Sequence, residues 1–447
     1  MVLEPPVLPC RPALTSHVLG SLQCYWPKNE DCVAALALES RAQPKEIKLP
    51  LRLRDIEVPE WAAVCAVNGK LLVPEESFPQ VQNQAEGDQW QEVDWFLAVF
   101  LMLEAWHERI WEYKHGPIHS YSFRLRGWDE RAWDYAWVNR IALFLREWAA
   151  KKAGVISEEL LGPLPRAEVV MTHDVDALAK TIPIRIKQTA FILLNAAQEI
   201  LEGRLKIGVK RMWHAANFFF LRTDWWTFDE LLAAERAAKI RAIFNFYANS
   251  RPKTLKAWLF DPNYDHSSHR VTELMKSLRK AGHEIGLHSS FDSWAKSEEI
   301  AFQKKALEEA SEARVATCRQ HWLRFSWRTT WAAQGNAGLE KDITLMFNDR
   351  PGFRNSAAIE WHPYNANTSA PVGLKARPTI LMDSHLYDYR RISPKQRSSL
   401  IGRLVNECGA VYGQAAVLWH PHTLSADYNW RQSFYVLLDN LQPLGAP

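Results

Sequence analysis

Two carboxylates, Asp174 and Asp176, flank a single valine just after the apolar run Glu168-Val169-Val170-Met171, with Thr172 and His173 immediately before them. On an extended chain, side chains at i and i+2 point to the same side, and like charges that close are costly unless a cation or donors compensate. That pattern suits one carboxylate on a metal ion with the other beside it as a base. The structural alternative is a helix N-cap, where Asp is favoured. A second apolar run, Glu284-Ile285-Gly286-Leu287, delivers His288, and neutral imidazole is the commonest transition-metal ligand. Asp292 follows four residues later and shares a face with His288 if the chain turns helical there. Cys318-Arg319-Gln320-His321 adds an arginine able to hold a carboxylate ionised and oriented. His321 reads equally as a third nitrogen ligand or as a core residue. The run Ala416-Val417-Leu418-Trp419 ends in His420-Pro421-His422. His420 is a candidate general acid, because an ordinary imidazole pKa of about 6.5 lies in the useful range.

Each of these groups stands where a short apolar run stops. The runs at 167–172, 241–247, 284–288, 316–323, 342–347, 378–382 and 415–419 predict strands, with helical periodicity between most of them, as at 227–239, 267–281 and 297–314. Short apolar strands with helical connections predict a parallel α/β sheet or barrel. In such folds functional side chains gather at the carboxyl ends of the strands, where the loops converge on an open face. Upstream, Trp95, Val99, Met102, Leu103, Trp106 and Ile110 keep helical spacing over 93–114, and a second helical stretch covers 133–152. The linker-like LLGPLPRAE at 160–168 places a domain boundary. Residues 1–160 are expected to form a smaller mixed α/β accessory domain, and 161–447 the barrel. A long amphipathic insertion at about 179–226 carries Lys180, Arg185, Lys187, Arg204, Lys206, Lys210 and Arg211. It is expected to cap the barrel, with a membrane-surface role as the alternative.

Composition narrows the classes. The 447 residues are 47% hydrophobic and 23% charged, which excludes wholesale disorder. A balance of 54 − 51 = +3 gives no case for nucleic acid. The six cysteines contain no C-x-x-C pair and no zinc-ribbon or disulfide spacing. The N-terminal stretch lacks the basic and apolar regions of a secretory signal, and the longest apolar run, at 95–103, is half a membrane span. A cytoplasmic protein is the expectation. Serine-hydrolase, P-loop, dinucleotide and H-E-x-x-H signatures are missing. The 21 tryptophans suit stacking on sugar faces as well as core filling, with Trp294, Trp322, Trp327, Trp331 and Trp419 near strand ends.

In order, Thr172-His173-Asp174-Val175-Asp176, then His288-Ser289 after Glu284-Ile285-Gly286, then Arg319, then Leu418-Trp419-His420 resemble the motifs of the NodB-homology polysaccharide deacetylases. A bacterial subgroup with an extra N-terminal domain and a helical insertion is the more similar. Its counterparts include Arg319 to Arg324, Asp349-Arg350-Pro351-Gly352-Phe353-Arg354, Leu381-Met382-Asp383 and the stretch around Asp94–Trp106 with Glu108-Arg109. The resemblance implies a distorted (β/α)7-type barrel that hydrolyses an N-acyl group from an amino sugar with a divalent metal, usually Zn2+. It implies Asp174 as base, Asp176 and His288 as metal ligands, Arg319 as the group orienting the base and His420 as general acid. Many members carry a second His four residues after the first, where this chain has Asp292, so the third ligand is Asp292 or His321. Asp383 is the nearest acidic candidate to support His420. The implied partner is an N-acetylated or N-formylated amino sugar of a bacterial surface polysaccharide or its precursor. The alternatives are a non-sugar amidohydrolase, a catalytically silent carbohydrate-binding protein, or an interaction scaffold with a basic helical insertion.

Overall fold

The apolar runs become the strands of one parallel sheet. The computed structural model describes residues 5–38, 43–78, 89–249, 251, 254–389 and 392–444. Its strands are β1 (Glu168–Val175), β2 (Ala242–Phe246), β3 (Glu284–Ser289), β4 (Thr317–Gln320), β5 (Lys341–Asp342), β6 (Lys375–Ala376), β7 (Thr379–Met382) and β8 (Gln414–Leu418). The sheet has eight strands in the order β6-β5-β4-β3-β2-β1-β8-β7, and every pairing is parallel. Only Arg377 and Pro378 separate the two edge strands, and Thr379 N–H donates to Leu345 O at 2.9 Å. The sheet therefore curls back on itself as a distorted barrel, with helices packed outside. Strands buried on both faces must be apolar throughout, which is why they read as runs rather than as alternation.

The structure adds β6 to the strands expected from sequence and shortens 342–347 to the two residues of β5. Asp342 is the cause. Its carboxylate accepts from Thr344 N–H at 3.0 Å, Trp331 Nε1 at 2.9 Å and Gln334 Nε2 at 2.7 Å, and this local capture of the backbone ends the ladder. The freed carbonyls at 343 and 345 then bind Arg319 and Thr379 across the barrel.

Before the barrel, the expected helix over 93–114 is two helices, α1 (Trp95–Leu103) and α2 (Trp106–His115), broken at Ala105 with φ 43°. A third, α3 (Trp137–Ala153), ends at Gly154 in the left-handed region. Residues on both sides of 160–168 bury one continuous apolar core. Polar ties cross the same boundary. Arg140 Nε binds Glu407 at 2.8 Å, Trp361 Nε1 binds Glu104 at 2.9 Å and Trp327 Nε1 binds Glu108 at 2.7 Å. The insertion is a helical hairpin of α4 (Ile182–Leu201) and α5 (Leu205–Phe220). A short helix, α6 (Leu255–Phe260), follows β2.

Candidate functional site

Period-two geometry and parallel register bring the site together. Asp174 on β1 lies in register with Asn245 on β2, Asn245 with Gly286 on β3, and His288 on β3 with Arg319 on β4. Residues in register on parallel strands face the same side, as do residues two apart on one strand. Thr172, Asp174, Asp176, Asn245, His288, Arg319 and His321 accordingly converge on one face. His173 alternates to the other side, where its ring binds Trp419 O at 2.8 Å and Glu235 at 2.7 Å. It fastens β1 to the outer layer and takes no part in the site.

Asp176, His288 and His321 each turn one ligand atom toward a common point, and those atoms all lie within 4.8 Å of one another. Asp176 Oδ1 stands 3.2 Å from His288 Nε2 and 3.6 Å from His321 Nε2. It is buried and makes no well-formed hydrogen bond. Both imidazoles are oriented from behind. His288 Nδ1 faces Arg319 O at 3.0 Å and His321 Nδ1 faces Asp261 Oδ1 at 3.3 Å. Those partners favour a proton on Nδ1 and leave the Nε2 lone pair directed inward, the arrangement that metal-binding histidines use. Two imidazoles and one carboxylate whose Oδ1 is orphaned fit a divalent cation with coordination positions to spare.

Asp292, the other candidate third ligand, is not brought to this point. Residues 291–292 form a turn rather than a helix, so the i, i+4 relation with His288 is lost. Its carboxylate binds Lys256 Nζ at 2.7 Å on the protein surface.

Asp174 lies beside the cluster, buried, accepting from Asn245 Nδ2 at 2.8 Å and Arg319 Nη1 at 3.1 Å. Burial alone would raise its pKa, but Arg319 with His288 and His420 outweighs that and holds it below the usual carboxylate range. Arg319 is fully buried and fixed by Thr172 Oγ1 at 2.7 Å, Thr379 Oγ1 at 2.9 Å and Ile343 O at 3.0 Å. Gly286 leaves the space Asn245 needs, because a Cβ there would collide with Asn245 Oδ1.

His420 follows β8, with Nε2 3.5 Å from Asp176 Oδ2. Its Nδ1 donates to Asp383 Oδ1 at 2.8 Å, while Asp383 Oδ2 accepts His420 N–H at 2.9 Å and Thr423 Oγ1 at 3.0 Å. Burial works against the charged ring, but Asp383 first and then Asp176 and Asp174 push its pKa up to about 10. The ring therefore holds a proton at neutral pH. Next to it, His422 is driven down to about 4 by burial and by His420, and stays neutral. Of the five tryptophans singled out from sequence, Trp322 is exposed, at 45%, on a left-handed turn with φ 57° directly after His321. Trp327, Trp331 and Trp419 are core residues and Trp294 is half-buried.

Asn245, Asp261, Thr379 and Thr423 escaped sequence reasoning. Asn245 alone carried a signal, as a polar residue inside the apolar run Ala242–Phe246.

No family model matches the chain, and no curated protein matches it. Among solved structures it is similar to a Mycobacterium smegmatis protein described as a polysaccharide deacetylase, over 63% of this chain and 85% of that one, at 17% identity and a TM-score of 0.37. It is also similar to a CE4-family pseudoenzyme from Bacillus anthracis, over 65% and 68%, at 14% identity and a TM-score of 0.27. A mutant CE4-family pseudoenzyme with restored enzymatic activity aligns over 65% and 70%, at 13% identity and a TM-score of 0.29.

Proposed function

We propose that this chain is a metal-dependent hydrolase that removes an N-acyl group, acetyl or formyl, from an amino sugar of a surface polysaccharide or its precursor. The observation that carries it is the convergence of Asp176, His288 and His321 between an ionised, arginine-held carboxylate and a protonated, aspartate-held histidine. Asp176 Oδ1, His288 Nε2 and His321 Nε2 would hold the cation, which we take to be zinc. When bound there, a divalent cation supplies an acidified water and polarises the acyl carbonyl. Asp174, kept ionised by Arg319, takes the proton from the attacking water at its free carboxylate oxygen. Arg319 and Asn245 fix that carboxylate in one orientation, so little reorganisation is needed at the moment of proton transfer. His420 Nε2 carries the proton that the departing amine requires, and Asp383 keeps the ring turned toward it. Trp322 offers an exposed ring at the rim on which an apolar sugar face can stack.

The test is divalent-metal content of the purified chain beside His288→Ala, followed by hydrolysis of N-acetyl and N-formyl sugars against simple amides. About one ion per chain, lost in the variant, with turnover confined to the sugars, is the expected result. Cleavage of simple amides alone would remove the sugar assignment. A chain that takes up no zinc, cobalt or nickel would sink the hydrolase and leave sugar binding through Trp322 as the function to pursue.

A further inference from the structure

The α4–α5 hairpin exposes an apolar face. On α4, Ile182, Ile186, Leu193, Leu194 and Leu201 are 43–87% exposed, and on α5, Leu205, Val209, Met212, Trp213 and Phe220 are 48–75% exposed. At roughly 100° per residue the α4 set falls within an arc of about 120° and the α5 set within about 100°, with Phe191 and Ile207 also exposed outside those arcs. The seam between the helices runs along Ala196 and Ile200 on one side and Gly208 and Ala215 on the other. In both helices the exposed stripe is turned from that seam in the same rotational sense, by about 75° on α4 and about 100° on α5. In an antiparallel pair this sets the two stripes side by side on one broad face. A helix of a globular protein ordinarily turns its apolar stripe inward; here the stripe is outward.

The charge of the hairpin points to what covers that face. Residues 182–221 contain Arg185, Lys187, Arg204, Lys206, Lys210 and Arg211 against Glu199 and Glu202, or 6 − 2 = +4. The whole chain sums to +3, so the other residues together sum to −1. Lys206 and Lys210 are exposed and flank the α5 stripe, and Trp213, 70% exposed, has the amphipathic ring suited to a headgroup boundary. A second copy of the chain would set +4 against +4. Apolar side chains bordered by lysines match acyl chains bordered by phosphates.

We propose that the α4–α5 hairpin docks flat on an anionic phospholipid bilayer, with its apolar face in the headgroup–acyl boundary and Lys206 and Lys210 at the phosphates. It lies on the surface rather than spanning it, since among the described residues no helix is long and apolar enough to cross a membrane. The hairpin is tied to the barrel at the mouth of the candidate site. Lys180 Nζ binds Asp427 at 2.9 Å, Trp225 stacks on His422 with ring centres 5.1 Å apart, and Lys187 Nζ binds Leu259 O of α6 at 3.0 Å, two residues before Asp261. Docking would thus hold the site's opening beside the lipid surface.

The experiment is co-sedimentation of the full chain with vesicles of phosphatidylcholine alone and of phosphatidylcholine with about one-third phosphatidylglycerol, with light scattering for oligomeric state. The wild-type chain is expected on the anionic vesicles, roughly tenfold less on the neutral ones, and released by salt. Leu194→Glu/Trp213→Glu and Lys206→Glu/Lys210→Glu should each weaken partition roughly tenfold, with thermal melting unchanged because all four side chains are exposed. No partition to anionic vesicles overturns the proposal, and so does undiminished binding of Leu194→Glu/Trp213→Glu. A dimer that the same variant dissociates, without vesicle binding, overturns it in favour of a second copy.

Discussion

Asp174 and Asp176 are chemically identical and two positions apart, and their surroundings divide the labour between them. Asp174 meets Arg319 and Asn245, a pair that saturates one oxygen and keeps the group charged. Asp176 meets only imidazole nitrogens, and its Oδ1 is left without a proper partner. Asp174→Asn should keep the cation and lose turnover by about 10²–10⁴-fold, read as metal content beside kcat. Full activity in that variant would remove Asp174 from the base role. Burial lowers the pKa of His288, but Asp174 and Asp176 more than restore it, leaving it above its ordinary value. Proton and cation compete for His288 Nε2, so metal affinity should fall as the pH is lowered through that raised value. Titration of metal loading between mildly acid and mildly alkaline pH checks this, and a flat profile would contradict it. Asp383 is the largest contribution raising the pKa of His420. Asp383→Asn should therefore move the alkaline limb of the pH–kcat profile to lower pH, because the ring then loses its proton earlier.

At the scale of elements, two glycines do work that no other residue can. Gly286 on β3 admits Asn245, so Gly286→Ala should displace the amide that holds Asp174 and cut kcat about tenfold. Metal content should stay normal, since the ligands lie elsewhere, and an unchanged kcat would show that Asn245 does not position the base. Gly352 has φ 129°, and a Cβ there would strike the carbonyl of Trp133. It belongs to Asp349–Arg354, which clamps the preceding segment to the barrel. Asp349 accepts Ser122 N–H at 2.8 Å, Phe353 N–H donates to Trp133 O at 2.9 Å, and Arg354 Nη1 donates to Ser120 Oγ at 2.6 Å. Gly352→Ala combines a strained backbone with a clash and should cost about 1–3 kcal/mol in urea unfolding while leaving Asp176, His288 and His321 in place. The six-residue stretch is thus a joint between segments rather than part of the candidate centre.

Over the whole molecule, the segment before residue 160 and the barrel are joined by a shared apolar core and by buried charge. Glu104, fully buried, binds His17 at 2.8 Å, Trp361 Nε1 at 2.9 Å and Tyr364 N–H at 3.0 Å, besides pairing with Arg109. Burial pushes its pKa up, but His17 and Arg109 outweigh that and leave it below the ordinary carboxylate value. A depressed carboxylate stabilises the fold above its unfolded pKa of about 4.3, and that stability is lost as pH falls through the folded value. Acid should therefore loosen both parts together, seen as one unfolding transition whose midpoint drops below about pH 4. Glu104→Gln should remove much of that pH dependence and destabilise by about 3 kcal/mol at neutral pH, because buried Arg109 loses its nearest carboxylate and keeps only Glu112 and Glu108 to face its charge. Two separate transitions would show that the segments fold independently.

The alternation of helices with strands and the places of Asp174, Asp176, His288, Arg319 and His420 near the ends of apolar runs were legible in the sequence, whereas the exact strand bounds, as at 342–347, were not. Strand burial and side-chain period are local properties that the chain writes directly into its apolar runs. Which of His321 and Asp292 lies beside Asp176 and His288 was not a local matter. It depended on a turn at 291–292 that carries Asp292 to the surface and on Asp261, sixty residues before His321, that aims the imidazole inward. Asn245, Thr172 and Thr379 become functional neighbours only through strand register, which is set by how the sheet closes and not by any one segment. The outward apolar face of the hairpin was equally hidden. Sequence periodicity shows that a helix has an apolar stripe, but only the packed fold decides whether protein covers it.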